Sequence, residues 1–469
     1  MEHLLGELFA DAAIPDAYVR GDASVAVTGV VYDSRKVTAG SLFCCVRGLQ
    51  SDGHTFAAAA VAAGATALMV DHPLAIEVAQ VVVPDTRAAM GLMAAAFWGH
   101  PTRSLVLVGV TGTNGKTTTA SLISSVVAHS GVSCGLIGTL TGPHTTPESP
   151  DLQEQLAGFV SQGMRAVVME VSSHGLALHR VNGCRFAVSV FTNLGRDHLD
   201  LHGTEERYFA AKAELFTPRL SDRGVANLDD THGRLLVDVA SVPMVTFSRA
   251  DVSDVEITPT AHAYTWRGEH ISVRIGGDFN VMNSLAAATA CAELGIAPAA
   301  IAAGLMQASA VPGRFEAVRA GQPFDVIVDY AHTPDGLRAA LVAARSAGSG
   351  RLIAVFGCGG DRDREKRPLM GAVAAECADL VVITSDNPRS EDPLGIINAV
   401  SAGVPDDYRS RVVTDPDRRS AFAQAFNMAT AGDVVVIAGK GHETTQTIGG
   451  TVVPFDDRSV ARELLEAMK

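Results

Sequence analysis

The stretch Ser104 to Thr118, SLVLVGVTGTNGKTT, decides how the chain is read. It begins as an apolar run of strand length, passes through Thr111-Gly112-Thr113-Asn114-Gly115-Lys116-Thr117 and opens a segment of helical composition. A strand that enters a helix through a Gly-rich turn ending in Lys-Thr is the context a phosphate-binding loop requires. Glycines at 112 and 115 let backbone N–H groups approach phosphates, Lys116 reaches the terminal ones, and the Thr117 hydroxyl can ligate Mg²⁺. The strict motif has Gly six residues before the lysine, where this chain has Val110. The bland alternative is a Gly/Thr turn beside an ordinary surface lysine.

Working outward, the same grammar recurs. Strand 166–169 runs into Glu170-Val171-Ser172-Ser173-His174, and strand 188–191 into Thr192-Asn193-Leu194-Gly195-Arg196-Asp197-His198. Later strands at 325–328, 352–356, 380–384 and 434–438 run into Asp329 to His332, Gly357 to Arg362, Asp386-Asn387-Pro388-Arg389 and Gly439 to Glu443. Alternation of strands with helices implies parallel α/β sheets, which bind ligands at the carboxyl ends of their strands. Two such loaded edges imply two ligand surfaces facing each other across a hinge. Breaks at Gly99-His100-Pro101 and Val311-Pro312-Gly313 divide the chain into expected domains at 1–99, 100–313 and 314–469. The first region mixes short β runs (25–32, 41–46, 67–70, 81–83) with an Ala-rich helical stretch.

Composition narrows the function classes. The chain has 469 residues, enough for several cores, with 47% hydrophobic and 19% charged residues. A net charge of −14 without a basic cluster argues against nucleic acid, so an anionic nucleotide must be held by local features. Seven cysteines with no C-x-x-C spacing suggest neither a disulfide framework nor a zinc site, and a reducing cytosol is expected. The N-terminus lacks a basic signal region and the longest apolar stretch, 56–70, is too short to span a bilayer, so neither export nor membrane insertion is expected.

With these residues in hand, the chain resembles the Mur ligase family. TGTNGKTT (111–118), EVSSHGL (170–176), FTNLGRDHL (191–199), Asn280 with Asn283, VPGRFE (311–316), DYAHTPD (329–335), DNPR (386–389) and GKGHE (439–443) occur in family order. Thr145-Thr146-Pro147-Glu148 before EVSSHGL, with Asp33-Ser34-Arg35 and Gly40-Ser41-Leu42-Phe43 near the start, is most similar to the tripeptide-forming branch. The resemblance implies an N-terminal UDP-binding α/β domain, a central P-loop ATPase-like parallel sheet and a C-terminal Rossmann-like domain. It implies that Gly112 to Thr118, Asn280, Arg314 and Asp329 hold ATP, and that Ser34, Thr145, Thr146, Ser172 and Arg180 hold a UDP-muramoyl-dipeptide. Thr117, Glu170, His198 and a carbamylated Lys212 would arrange two Mg²⁺ ions. Arg362, Asp386, Asn387, Pro388, Arg389, Gly439 and Glu443 would form the amino-acid site, with Glu443 taking a distal ammonium. Leu49 and Leu178 depart from the pattern, standing where polar sugar or peptide contacts would be.

The implied reaction is γ-phosphoryl transfer from ATP to the D-Glu carboxylate, giving an acyl phosphate that the amine of meso-diaminopimelate attacks, with Lys116, Glu170, His198 and Lys212 as the catalytic group. Arg389 supplies a planar fork suited to the distal carboxylate that distinguishes this diamino acid from lysine. His332 could position nucleotide or make a structural hydrogen bond. The expected state is a monomer. Two alternatives stay open on the residues alone: a sister ligase adding L-lysine, and an ATP-hydrolysing switch that ligates nothing. Asn193-Leu194-Gly195 does not match a guanine-reading motif, so adenine is the expected base.

Overall fold

The structure is a computed structural model that describes residues 2–48, 51–348 and 350–468. Leu49 lies outside the described residues. Three α/β layers follow one another along the chain. In the first, β1 (Tyr18–Arg20), β2 (Gly29–Val31), β3 (Ser41–Cys44), β4 (Ala67–Val70) and β5 (Ala79–Val82) form one sheet in the order β1-β5-β4-β3-β2, with only β1 antiparallel. Helix α1 (Thr86–Phe97) covers it, its Asp85 cap accepting from the N–H groups of Arg87 and Ala88.

The central sheet is all parallel. Its strands are β6 (Val106–Thr111), β7 (Cys134–Ile137), β8 (Ala166–Glu170), β9 (Val188–Phe191), β10 (Gly224–Asn227) and β11 (Met244–Phe247), ordered β11-β10-β9-β6-β8-β7. The phosphate-loop strand β6 is therefore interior, and its VLVGV run is apolar because both faces are covered by other elements. Helix α2 (Lys116–His129) leaves the loop and packs on α3 (Asp278–Glu293) and α4 (Pro298–Met306). An antiparallel sheet of Ser253–Ile257, His262–Trp266 and Glu269–Val273 joins the same core through Tyr264, Trp266 and Ile271.

The third sheet contains β12 (Asp325–Asp329), β13 (Leu352–Phe356), β14 (Leu380–Thr384), β15 (Val412–Asp415) and β16 (Val434–Ala438). These run parallel in the order β12-β16-β13-β14-β15, and Glu316–Ala317 adds an antiparallel edge beside β12. A hairpin, Thr445–Ile448 with Thr451–Pro454, extends from the end of β16.

Sequence patterning located the strands richest in Val, Ile and Leu. It passed over β7 and β10, whose glycines at 135 and 224 dilute the signal, and over the partly exposed edge strand β15. The antiparallel sheet was also passed over, because it carries charged residues on its open face. All seven cysteines are free. Among the described residues, no helix is long and apolar enough to cross a membrane.

Candidate active site

The loop between β6 and α2 owes its shape to two glycines. Gly112 has φ +150° and Gly115 φ +86°; a Cβ at the first would lie 1.9 Å from Thr192 Oγ1, and at the second 2.2 Å from Asn283 Oδ1. The loop is pinned from β9: Thr113 N–H donates to Asn193 O, Asn114 N–H to Asn193 Oδ1, and Thr192 Oγ1 to Asn114 O. Lys116 Nζ turns back onto the loop, donating to Gly112 O and Thr113 O at 2.9 Å each. Burial pushes its ammonium below the ordinary lysine value, partly offset by the Glu170 carboxylate.

Lys212 lies under the same loop, 1% exposed, donating to Gly112 O at 2.9 Å and resting 4.6 Å from the centre of the Tyr208 ring. Burial first, and the nearby Lys116 charge second, drive its ammonium well below the ordinary value. Lysine is rarely buried without a carboxylate partner. Glu170, at the end of β8, shows the converse. It is 2% exposed and accepts from Thr117 Oγ1 (2.9 Å), Thr139 N–H (2.8 Å) and Thr139 Oγ1 (3.2 Å). Among the described residues no Lys, Arg or His makes an ion pair with it. A buried carboxylate with hydroxyl neighbours and no ion-paired cation is a hard-oxygen donor set of the kind Mg²⁺ takes.

His198 occupies the left-handed region at φ 53°, its ring 4.6 Å from that of His174 and its Nε2 3.4 Å from Asp197 Oδ2. Burial pushes its pKa below the ordinary histidine value against the pull of Asp197, which favours a neutral imidazole with a lone pair. From the third layer, Arg314 donates Nη2 to Thr117 Oγ1 at 3.1 Å and lies 4.3 Å over the Tyr330 ring, while its buried Nε has no partner. Asp329 accepts from Phe315 N–H (2.7 Å) and Ala331 N–H (2.8 Å) and so fixes the turn that carries Arg314. Burial raises its carboxyl above the ordinary value. His332 Nδ1 donates to Tyr330 O at 3.0 Å. Gly115 to Thr118, Glu170, His198, Arg314, Asp329 and His332 line one cavity of about 590 Å³, whereas Gly112 and Lys212 lie behind its wall. Asn280 is not on its wall: it is 1% exposed, with its amide spent on Gly276 O and Asn283. Asn283, one turn on along α3, lines the cavity instead.

Thr145 and Ser172 reach the same cavity, whereas Thr146 is buried beneath them, bonded to Glu170 O and Ser172 Oγ. Arg180 donates to Thr146 O and pairs with Glu148 at 2.8 Å, and Glu148 also meets Arg87 of α1 at 3.1 Å. A glutamate between two arginines thus ties the first layer to the central one. Nothing local to Thr145-Thr146-Pro147-Glu148 marks Glu148 for this role, since both its partners lie far off in the sequence. Ser34 follows β2, and its neighbours Tyr32 (2.7 Å) and Lys36 (3.5 Å) reach Asp151 of the central layer. Leu178 caps the short helix Ser173–Ala177 through its N–H.

The remaining expected residues gather at the carboxyl edge of the third sheet, the edge that also carries Asp329. Asn387 Nδ2 donates to Asp386 Oδ1 (3.0 Å) and Glu443 Oε2 (2.7 Å), so the segments after β14 and β16 meet. Glu443 Oε2 also accepts from the buried Lys440 at 3.2 Å, so one of its oxygens is already engaged by a cation. Pro388 is buried. Arg389, half-buried at φ 53°, spends Nη1 on Gly360 O at 2.7 Å. Arg362 is exposed, and among the described residues its side chain hydrogen-bonds to Asp361 O. Gly439 has φ +115° and faces Asp386.

Profiles of three protein families match the chain: "Mur ligase family, catalytic domain" over 26–98, "Mur ligase middle domain" over 110–291 and "Mur ligase, glutamate ligase domain" over 313–441. A relative from Geobacillus kaustophilus, named UDP-N-acetylmuramoyl-L-alanyl-D-glutamate--2,6-diaminopimelate ligase, is 46% identical, covering 96% of this chain and 97% of its own. A Streptomyces coelicolor protein of the same name is 44% identical over 95% of this chain and 94% of its own. A solved structure of a ligase of that name superposes with a TM-score of 0.70 at 35% identity, covering 100% of this chain and 99% of the other.

Proposed function

The chain belongs to the Mur ligase family, and from that premise we propose that it joins meso-2,6-diaminopimelate to the D-Glu carboxylate of UDP-N-acetylmuramoyl-L-Ala-D-Glu at the expense of ATP, a step in peptidoglycan precursor synthesis. The observation that carries this reading is the single cavity in which the phosphate loop and Glu170 of the central layer meet Arg314 and Asp329 of the third. An acyl phosphate must form and be consumed away from water, and a site closed by a second domain provides that.

ATP would lie along Gly112 to Thr118, its phosphates facing the N-terminal N–H groups of α2. Lys116, held by two loop carbonyls, needs only a rotation of its ammonium to follow the transferring phosphoryl group. Arg314 brings a guanidinium whose Nε–H is spare and is the fitting partner for phosphate oxygens arriving across the hinge. Asn283 takes the position on the cavity wall that the family resemblance would give to Asn280.

Thr117, Glu170, His198 and a carbamylated Lys212 would hold two Mg²⁺ ions, which when bound neutralise charge on the phosphoryl group and the acceptor carboxylate. The carbamate fits because the Lys212 amine is buried without an ion-paired carboxylate and burial drives its ammonium well below the ordinary lysine value, which favours the free amine that adds CO₂. Thr145, Ser172 and Arg180 would orient the UDP-linked dipeptide so that its carboxylate attacks in line, with Ser34 at the sugar end. Once the acyl phosphate exists, the amine of the diamino acid adds to its carbonyl and phosphate leaves. Asp386 to Arg389, with Gly439, Glu443 and Arg362, would hold the far end of that amino acid.

Phosphate release measured with a panel of amino acids tests this. Release should require both UDP-muramoyl-dipeptide and an amino acid, and should be fastest with meso-diaminopimelate. Hydrolysis of ATP alone, or a preference for L-lysine, would overturn the reading.

A further inference from the structure

Below the proposed amino-acid site lies an ion pair that the reaction scheme does not use. Arg418, at the first turn of helix α5 (Arg418–Met428), donates Nε to Asp457 Oδ1 at 2.8 Å and Nη2 to Asp457 Oδ2 at 2.6 Å, and both side chains are 0% exposed. Asp457 begins α6 (Asp457–Ala467), whose cap is Asp456, so the pair is not there to cap that helix. The rest of the guanidinium is spent on the sheet. Nη1 donates to Ser385 O at 3.2 Å and Nη2 to Ala438 O at 3.0 Å.

Those carbonyls sit at the ends of β14 and β16, immediately before Asp386 to Arg389 and Gly439 to Glu443. The two strands are not neighbours, because β13 lies between them, so no ladder bond fixes the distance between their ends. Beyond β13 the chain turns away at Gly357, where a Cβ would lie 2.3 Å from Thr384 O and 2.8 Å from Asp386 N. The missing side chain lets the two segments close over the middle strand. Asn387 and Glu443 join their rims, and Gln446 Nε2 secures Asp386 O from the hairpin at 2.6 Å. Arg418 is the group that joins their bases.

Stability alone does not account for such a pair, since a buried ion pair is commonly matched or bettered by apolar residues of the same volume. Its charge also bears on the site: burial raises the Asp386 carboxyl, and Arg418 is the foremost influence opposing that rise. We propose that Arg418, held by Asp457, is a positioning residue for the amino-acid site, setting the spacing between the segment that carries Arg389 and the one that carries Glu443. This rests on the assignment of those segments to the diamino acid.

The test replaces the pair by apolar residues, Arg418→Met with Asp457→Leu, and measures thermal unfolding and separate KM values for ATP, UDP-muramoyl-dipeptide and diaminopimelate. The double variant should unfold cooperatively, somewhat below the parent temperature because Ser385 O and Ala438 O lose their donors, and should raise the KM for diaminopimelate about 10- to 100-fold, the scale of an ångström-level misplacement. The KM values for the other two substrates should stay within about twofold. An unchanged KM for diaminopimelate, or a parallel rise in all three, overturns the proposal. Should the double variant not fold, Asp457→Asn keeps shape and cap while removing the charge, and the same selective rise, smaller in size, is expected; a uniform or null effect there overturns it equally. Arg389→Ala run alongside separates the failures. If it leaves diaminopimelate untouched, the site assignment is wrong; if it acts and the Arg418 variants do not, only the positioning role is wrong.

Discussion

Replacing Arg389 with Ala should change the choice of amino acid while leaving the protein nearly as stable as before. The loop backbone does not depend on the side chain: Arg389 N–H donates to Thr447 O at 3.0 Å and Gly449 N–H donates to Arg389 O at 2.7 Å. Alanine at φ 53° bears the same left-handed strain as arginine. What is lost is the bond from Nη1 to Gly360 O, worth about 1 kcal/mol, or roughly 1 °C in Tm for a chain of this size. The substrate term is larger. Among the described residues Nε and Nη2 make no hydrogen bond and can grip a carboxylate as a fork, and truncating one partner of a hydrogen-bonded charge pair costs about 2–5 kcal/mol. Because Arg389 is only half-buried, the low end applies, about 2–3 kcal/mol, or roughly 30- to 150-fold in kcat/KM for diaminopimelate. Lysine has no distal carboxylate, so its poor use should be unchanged or slightly improved. Arg389→Lys should fall between, since a point charge cannot form the fork. Steady-state phosphate release with each amino acid gives the numbers. Equal losses for both amino acids would refute the pairing.

Lys116→Ala should abolish ligation with a thermal midpoint near the parent's, because Nζ bonds only to loop carbonyls and its burial is itself unfavourable; residual turnover near the parent rate would contradict its role. Lys212→Ala should lose most activity, and short carboxylates should restore part of it if oxygen ligation is the missing function, whereas rescue by amines instead would show that lysine acts as a cation. Glu148→Gln should raise KM for UDP-muramoyl-dipeptide about tenfold with little change for ATP, since Arg180 loses its charged anchor; a change in ATP affinity instead would place Glu148 elsewhere in the reaction. His262 tests the central core: its Nδ1–H is given to Ile275 O at 2.6 Å, and burial pushes its pKa down to about 4. The unfolded chain therefore binds a proton that the folded one refuses, so the stability this residue gives is whole above its ordinary pKa of 6.5 and is lost as pH falls toward 4, by at most ~1.4 kcal/mol per pH unit. Urea midpoints at about pH 7 and about pH 5 should differ less in His262→Gln than in the parent, and an equal difference would exclude His262 as a source.

The sequence alone determined what is local. A run such as VLVGV followed by TGTNGKT specifies strand, loop and helix within a few residues, because strand burial, glycine conformations and helix entry are short-range requirements. The placing of Glu170, Asp329 and Asp386 after apolar runs was legible for the same reason, since each follows directly from where its strand ends. Tertiary structure decided what depends on which segments meet. Asn280 and Asn283 are three residues apart on α3, and only the way that helix packs turns Asn283 to the cavity and Asn280 into the core. Nothing in the run around Lys212 says that it lies under a loop 100 residues earlier. Glu148 between Arg87 and Arg180 depends on how two domains dock, and Arg418 with Asp457 on a strand order that places β13 between β14 and β16. Periodicity records which face of an element is buried; it does not record what is buried against it, and charged groups that pair across long separations leave no local mark.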